Sequence, residues 1–176
     1  MDFQNFQKFV KEKFAGKVRD DGSDYFNAHL VKVCKDSFDL YLTSELFNKD
    51  KIEVVKMAAI GHDLLEDTSV TYNELVALTS VEVANVIVEL TTEAGENRHQ
   101  RMLEKARNYS CFAFYVKIAD RHNNIQSMAA GGWDRKRQLA YIRKGIELLN
   151  VMPRYDTNLM VDMYCKWTKK QFELLG

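Results

Sequence analysis

The sequence predicts an all-α fold, one bundle of about eight helices. Three observations carry this. One proline and eight glycines in 176 residues leave little punctuation for a fold of many strands and turns. Apolar residues recur at helical spacing along most of the chain. Thr71-Tyr72-Asn73-Glu74 has the pattern of a capping box, in which hydroxyl and carboxylate each satisfy the other's end of a new helix.

The elements follow in order. Phe3, Phe6, Phe9 and Val10 make the apolar face of a first helix. The polar stretch Arg19-Asp20-Asp21-Gly22-Ser23 breaks it, with Asp-Gly as a turn signal. Residues 24–47 read as a long second helix, and 51–65 as a third that is apolar on most sides and therefore central. A helix opens at Thr71, and others are expected over 80–92, 96–108, 111–129, 133–151 and 156–174. Val81, Val83, Val86, Ile87 and Val88 have strand propensity, but helical neighbours and the lack of a partner strand favour helix. Gly131-Gly132 and Pro153 separate the last elements. Leu159, Met163, Trp167 and Phe172 give the segment 155–176 a face to pack on the core, so 1–176 reads as a single domain.

Composition narrows the class. Apolar residues at 46% and charged residues at 28% describe a globular chain and exclude a disordered or collagen-like one. Twenty-five basic and 25 acidic residues cancel, so no overall field recruits nucleic acid or anionic membrane. Cys34, Cys111 and Cys165 are odd in number and without a CxxC pair; they read as reduced thiols of a cytoplasmic protein, Cys34 and Cys111 in the core. The N-terminus has no basic, apolar signal pattern, and no run is long enough to span a membrane.

Chemistry concentrates in two segments. Ile60-Gly61-His62-Asp63-Leu64-Leu65-Glu66-Asp67-Thr68 sets an imidazole and three carboxylates at the end of the most apolar helix. Burying that charge is costly unless a cation or hydrogen bonds compensate it, and a divalent metal is the simplest compensation. Asp120 emerges from a second apolar run, 112–119, and His29 lies on the second helix. Two imidazoles with two carboxylates suit Mn²⁺, Fe²⁺ or Zn²⁺ better than Mg²⁺ or Ca²⁺. Bland readings stand beside this. A lone His29 reads as structural more readily than as a ligand, a His-Asp pair arises by chance, and Glu66 and Asp67 can be solvated charges. His99, among Arg98, Gln100 and Arg101, reads as a surface residue, and neither it nor His122 as a ligand.

Taken together, these residues resemble the HD-domain metal-dependent phosphohydrolases. HDLLEDT at 62–68 followed by KIADRHNN at 117–124 is similar, more narrowly, to the Rel/Spo-type small alarmone hydrolases, over about residues 19–149. The resemblance implies one Mn²⁺ (Fe²⁺ or Zn²⁺ being open) held by His29, His62, Asp63 and Asp120. It implies Glu66 and Asp67 as catalytic carboxylates. It implies substrate contacts from Arg19 to a guanine base, from Asn124 to ribose or phosphate, and from Arg137 and Tyr141, one helical turn apart, to phosphate and ring; Arg98 or Arg101 would add a further phosphate contact. The activity implied is removal of the 3′-pyrophosphate from guanosine tetra- or pentaphosphate, giving GDP or GTP and pyrophosphate. Four departures stand out: Asp20 where the family has a basic residue, an extra residue between Tyr25 and His29, Leu30 in place of the usual proline, and His122 at a usually apolar position. The acidic Asp20-Asp21 edge is expected to remodel that side of the pocket.

Two other readings share the motifs. The same chemistry can serve another phosphorylated substrate, either NADPH or a pyrophosphorylated tRNA in an antitoxin role, with Lys105, Arg107 and Arg135-Lys136-Arg137 as basic contributors in the tRNA case. A degenerate domain would bind nucleotide without turnover, but the complete ligand set with both Glu66 and Asp67 weighs against it. A small-molecule nucleotide is the expected partner, with a homodimer left open.

Overall fold

The computed structural model describes residues 1–176, and every regular element is helical; one isolated antiparallel bridge, Val18 to Asp24, pins the polar loop after the first helix. The α-helical segments are α1 (Phe3–Lys13), α2 (Val31–Leu42), α3 (Ile52–Ile60), α4 (Leu64–Asp67), α5 (Tyr72–Leu78), α6 (Val81–Leu90), α7 (Arg98–Ala106), α8 (Cys111–Ser127), α9 (Arg135–Val151) and α10 (Thr157–Leu175). A π-helical turn, Phe26–Leu30, leads into α2, and a 3₁₀ turn, Lys49–Lys51, leads into α3. The ten α-helical segments exceed the eight or so expected, in part because the third predicted helix is broken into α3 and α4; the second stops early but holds a single α-helix.

Each interruption has an identifiable cause. The second helix stops at Leu42 because Thr43 and Ser44 turn their hydroxyls back onto the Asp39, Leu40 and Tyr41 carbonyls, offering the backbone an alternative to further helix. The Asn48 N–H then donates to Tyr41 Oη at 2.9 Å and folds the loop back. The third helix, expected to run unbroken to residue 65, breaks after Ile60. Gly61 sits where an added Cβ would come within 3.1 Å of Phe6 and 3.2 Å of Ile87, so backbone packs directly on core side chains. The chain turns through Gly61–Asp63 and restarts as α4, which lifts His62 and Asp63 out of the helical register.

Elsewhere side chains cap the helices as their sequences suggest. Thr71 and Glu74 form the reciprocal box at α5, and Ser80, Ser110, Asp134 and Asp156 each accept an orphan N–H at the start of α6, α8, α9 and α10. The valine-rich run is helix α6, with Val83, Val86, Ile87 and Leu90 facing inward at spacings of three and four.

Forty buried apolar residues form one core cluster. Helix α3 runs through its centre and packs against α1, α2, α6 and α8. Its Val55, Ala58, Ala59 and Ile60 are fully buried, and each large aliphatic side chain of this kind contributes about 1.5–3 kcal/mol. Helices α9 and α10 pack on each other and on α8, with Trp167 buried against Gly145. Cys34 is buried, whereas Cys111, expected in the core, opens α8 half-exposed, and Cys165 is exposed; all three are free thiols. No helix is long and apolar enough to cross a membrane.

Candidate functional site

The helical breaks and the π turn bring the candidate ligands to one point. His29 lies in the π turn, whose wider winding rotates it relative to α2. His62 and Asp63 lie in the turn between α3 and α4, and Asp120 lies in the middle of α8. The His29 and His62 rings meet edge to face with centroids 5.2 Å apart. One ligand atom each from His29, His62 and Asp63 fit within 4.8 Å of one another. Asp63 Oδ2 is 3.5 Å from His29 Nε2 and 3.1 Å from His62 Nε2; Asp120 Oδ1 is 3.5 and 3.8 Å from the same two nitrogens.

The surrounding hydrogen bonds set which nitrogens face the cluster. His62 Nδ1 donates to the Ala59 carbonyl at 2.7 Å, and His29 Nδ1 donates to Asn123 Oδ1 at 2.8 Å. In the neutral imidazoles both Nε2 lone pairs therefore point at the two carboxylates. His62 Nε2 is buried and, despite its 3.1 Å approach to Asp63, makes no hydrogen bond. A buried, orphaned Nε2 beside two carboxylate oxygens is the environment a divalent cation satisfies, and hydrogen bonds from Nδ1 to a carbonyl or amide oxygen, as to Ala59 and Asn123, are those that orient metal-binding histidines. The residues present fit such a cation.

Without a cation, the two carboxylates hold a proton on His62 in its place. Burial pushes His62 down, but Asp63 and Asp120 outweigh it and raise its pKa to about 9. Burial likewise opposes ionisation of Asp63, yet His62 and His29 hold it well below the usual carboxylate range. Asp120 is desolvated too, but Lys117 and then the imidazoles bring it down to about 2. Lys117 Nζ reaches Asp120 Oδ2 at 3.1 Å, and Asn124 Nδ2 donates to Asp120 Oδ1 at 2.7 Å. The Tyr25 hydroxyl donates to Asp63 Oδ2 at 2.7 Å; burial and then that carboxylate raise its pKa strongly.

His29, Asp63 and Asp120 of the cluster line a cavity of about 380 Å³. Its lining holds four carboxylates, Asp63, Glu66, Asp67 and Asp120, and four cations, Arg98, Lys117, Arg121 and Lys144. Glu66 Oε1 accepts the Thr92 N–H at 2.5 Å, and Oε2 pairs with Arg98. Asp67 pairs with Lys17 at 2.6 Å. Tyr141 lines the same cavity, with the Arg121 guanidinium 4.2 Å over its ring. His99, expected on the surface, also lines the cavity and is held at 2.6 Å by Glu147. His122 points away: its Nδ1 accepts from Trp167 Nε1 at 3.2 Å.

Arg19 and Arg137 lie differently from the expected substrate contacts. Arg19 lines an adjoining cavity of about 260 Å³ that shares Tyr25 and Asn124 with the first. Its guanidinium donates to Asn123 Oδ1 at 2.9 Å, to Asn124 Oδ1 at 3.1 Å and to Ser127 Oγ. Arg137 stands on the rim, stacked 3.7 Å over Trp133 and 3.5 Å from Asp20, which also takes the Trp133 indole N–H at 2.5 Å. The acidic edge thus closes onto α9 through Asp20. Tyr25, Asn123, Lys17, Thr92 and Arg121 carried no assigned role in the sequence; only their closeness to other motif residues marked Tyr25, Asn123 and Arg121.

No family model matches the chain. It is 30% identical over 95 residues to the guanosine-3′,5′-bis(diphosphate) 3′-pyrophosphohydrolase MESH1 of Drosophila melanogaster, covering 51% of this chain and 53% of that protein. It is 28% identical over 160 residues to the corresponding enzyme of Spiroplasma citri, covering 86% of this chain and 20% of that one. The chain thus spans about half the length of the MESH1 relatives it matches. Among solved structures, a metazoan ortholog of SpoT described as hydrolysing ppGpp superposes with a TM-score of 0.81 at 21% identity, covering 96% of this chain and 94% of that one. The fold is the all-α bundle of that protein.

Proposed function

We propose that this chain is a metal-dependent phosphohydrolase that removes the 3′-pyrophosphate from guanosine tetra- and pentaphosphate, leaving GDP or GTP. The observation that carries the reading is the convergence of two Nε2 lone pairs and two carboxylates beside a cavity lined by His29, Asp63 and Asp120 together with Glu66 and Asp67. Similarity to proteins named for that reaction supplies the substrate class. We read residues 1–176 as one catalytic domain working in the cytoplasm.

His29, His62, Asp63 and Asp120 would hold one divalent cation, and this mixed nitrogen and oxygen set favours Mn²⁺, Fe²⁺ or Zn²⁺ over all-oxygen cations. Bound there, the cation would supply Lewis acidity to an oxygen of the phosphoryl group under attack. The protein does the rest. Glu66, fixed by Thr92 and Arg98 with lone pairs to spare, accepts the proton of the attacking water. The new bond forms between the water oxygen and the phosphorus next to the ribose. The P–O3′ bond breaks, and the proton returns to O3′ from Glu66. Asp67, tethered by Lys17, orients the water. Asn124 hydrogen-bonds the ribose or phosphate, and Tyr141 packs on the substrate as it lines the cavity. Arg19 borders the second cavity, where a base would lie, and Arg137 meets phosphate only by leaving Asp20.

Release of pyrophosphate from ppGpp by the purified chain, with and without Mn²⁺, tests this. Metal-dependent formation of GDP supports it. A metal-loaded chain that leaves ppGpp intact but cleaves NADPH or pyrophosphorylated tRNA overturns the substrate and keeps the chemistry.

A further inference from the structure

The cations of the main cavity are unequal. Arg98 is paired with Glu66 and Lys117 with Asp120. Arg121 and Lys144 have no acidic partner anywhere in the structure, because the four lining carboxylates are already engaged with other groups. For Lys144, exposed on the outer turn of α9, that is unremarkable. For Arg121 it is not, since the residue is only 6% exposed and its guanidinium is permanently charged. Its Nε is buried without a hydrogen-bond partner, and its one polar contact is a weak approach of Nη2 to Met102 Sδ at 3.5 Å. Stacking on Tyr141 offsets part of the desolvation but provides no hydrogen-bond acceptor. Gly145 leaves the room this side chain needs: an added Cβ would lie 3.4 Å from Arg121 Cδ and 3.2 Å from Trp167.

A charge buried in this manner is stable when something anionic completes it. Tyr141 and Lys144 stand one turn apart on α9, and both line the same cavity as Arg121, which is stacked on the tyrosine ring. A planar fork and a point charge in the lining of one cavity match a phosphoryl group. We propose that Arg121, assisted by Lys144, forms an anion subsite that takes the terminal phosphoryl group of the substrate's pyrophosphate, an assignment that rests on the phosphohydrolase reading. Arg121 is then a binding residue of the reaction, and the released pyrophosphate leaves from it.

The test is calorimetric titration of inorganic pyrophosphate into the chain and into Arg121→Met, each with and without Mn²⁺, alongside their thermal midpoints. Methionine keeps the volume and removes the uncompensated charge. The expected result is a loss of pyrophosphate affinity of about tenfold or more with an unchanged or higher midpoint. A purely structural arginine gives the opposite pair: a lower midpoint and unaltered affinity in the folded fraction. Should Arg121→Met not fold, Lys144→Met and Arg121→Lys serve, and both are expected to weaken pyrophosphate binding. Affinities equal to the parent's in every folded variant, or no pyrophosphate binding by the parent, overturn the subsite. Turnover of ppGpp by the parent is measured in parallel. Turnover with no Arg121 effect sinks the subsite alone; an Arg121-dependent pyrophosphate site without turnover sinks the nucleotide reading and leaves the subsite.

Discussion

Arg19 donates to Asn123 Oδ1 at 2.9 Å, and the same oxygen accepts from His29 Nδ1 at 2.8 Å. The arginine thereby fixes the amide's orientation, which fixes the imidazole's tautomer, which leaves His29 Nε2 free for a cation. Through Asn124, whose oxygen Arg19 also binds, the same guanidinium steadies the amide that donates to Asp120. One side chain outside the cluster therefore orients two of its members.

Asn123→Ala removes that link without touching a ligand. Metal affinity is expected to fall by about 10–100-fold while the fold is kept, as for other partners of metal-binding histidines. Competition against a chelating dye measures it; unchanged affinity would show that packing alone orients His29.

Glu66→Gln preserves shape and the Thr92 contact but removes the proton acceptor. Metal content is expected to stay at the parent level and turnover of ppGpp to drop by about 10²–10⁴-fold. Retained turnover removes Glu66 from the mechanism.

Asp63→Ala takes away an oxygen donor and the principal neighbour raising His62. The variant is expected to purify without stoichiometric metal, and elemental analysis reads this directly. A variant that still binds one equivalent of Mn²⁺ overturns the ligand set.

Gly61→Ala places a methyl group against Phe6 and Ile87. Overpacking of this kind costs about 1–3 kcal/mol, so urea denaturation is expected to shift to lower concentration. A neutral result would mean that the α3–α4 turn yields more easily than its packing implies.

Cys34 offers a pH test away from the site. Burial pushes its thiol up to about 11, against a smaller opposing effect from Lys56, so the thiolate is scarce at neutral pH and grows as pH rises toward that value. Iodoacetamide is expected to modify exposed Cys165 first and to reach Cys34 only near pH 11 or on unfolding. Peptide mapping by mass spectrometry decides the order.

How much was legible in the sequence depended on range. His62, Asp63, Glu66 and Asp67 fall within one or two turns, so local spacing alone announced a charged cluster at the end of an apolar helix. Asp120 announced itself by ending another apolar run. The all-α class followed from periodicity and caps that act over three or four residues. What stayed hidden is long-range. The Arg98–Glu66 pair spans 32 positions, Lys17–Asp67 spans 50, and Arg19–Asn123 spans 104. No local pattern encodes such pairs. The break at Gly61 was hidden for a related reason, since it depends on Phe6 and Ile87 from two other helices. His99 looked superficial among charged neighbours because its partner, Glu147, lies on α9.

The contrast between floor and rim has an evolutionary meaning. The floor is a web of buried, mutually dependent hydrogen bonds in which His29, Asn123, Asp120 and Asn124 each constrain a neighbour. The rim is closed by exposed contacts such as Asp20 with Arg137, and single exposed ion pairs of this type contribute at most about 1 kcal/mol. Substitutions on the rim are therefore nearly free, whereas those on the floor are coupled and must change together. On the proposed function, rim residues can be exchanged one at a time to alter which phosphorylated molecule fits, while the floor is kept whole.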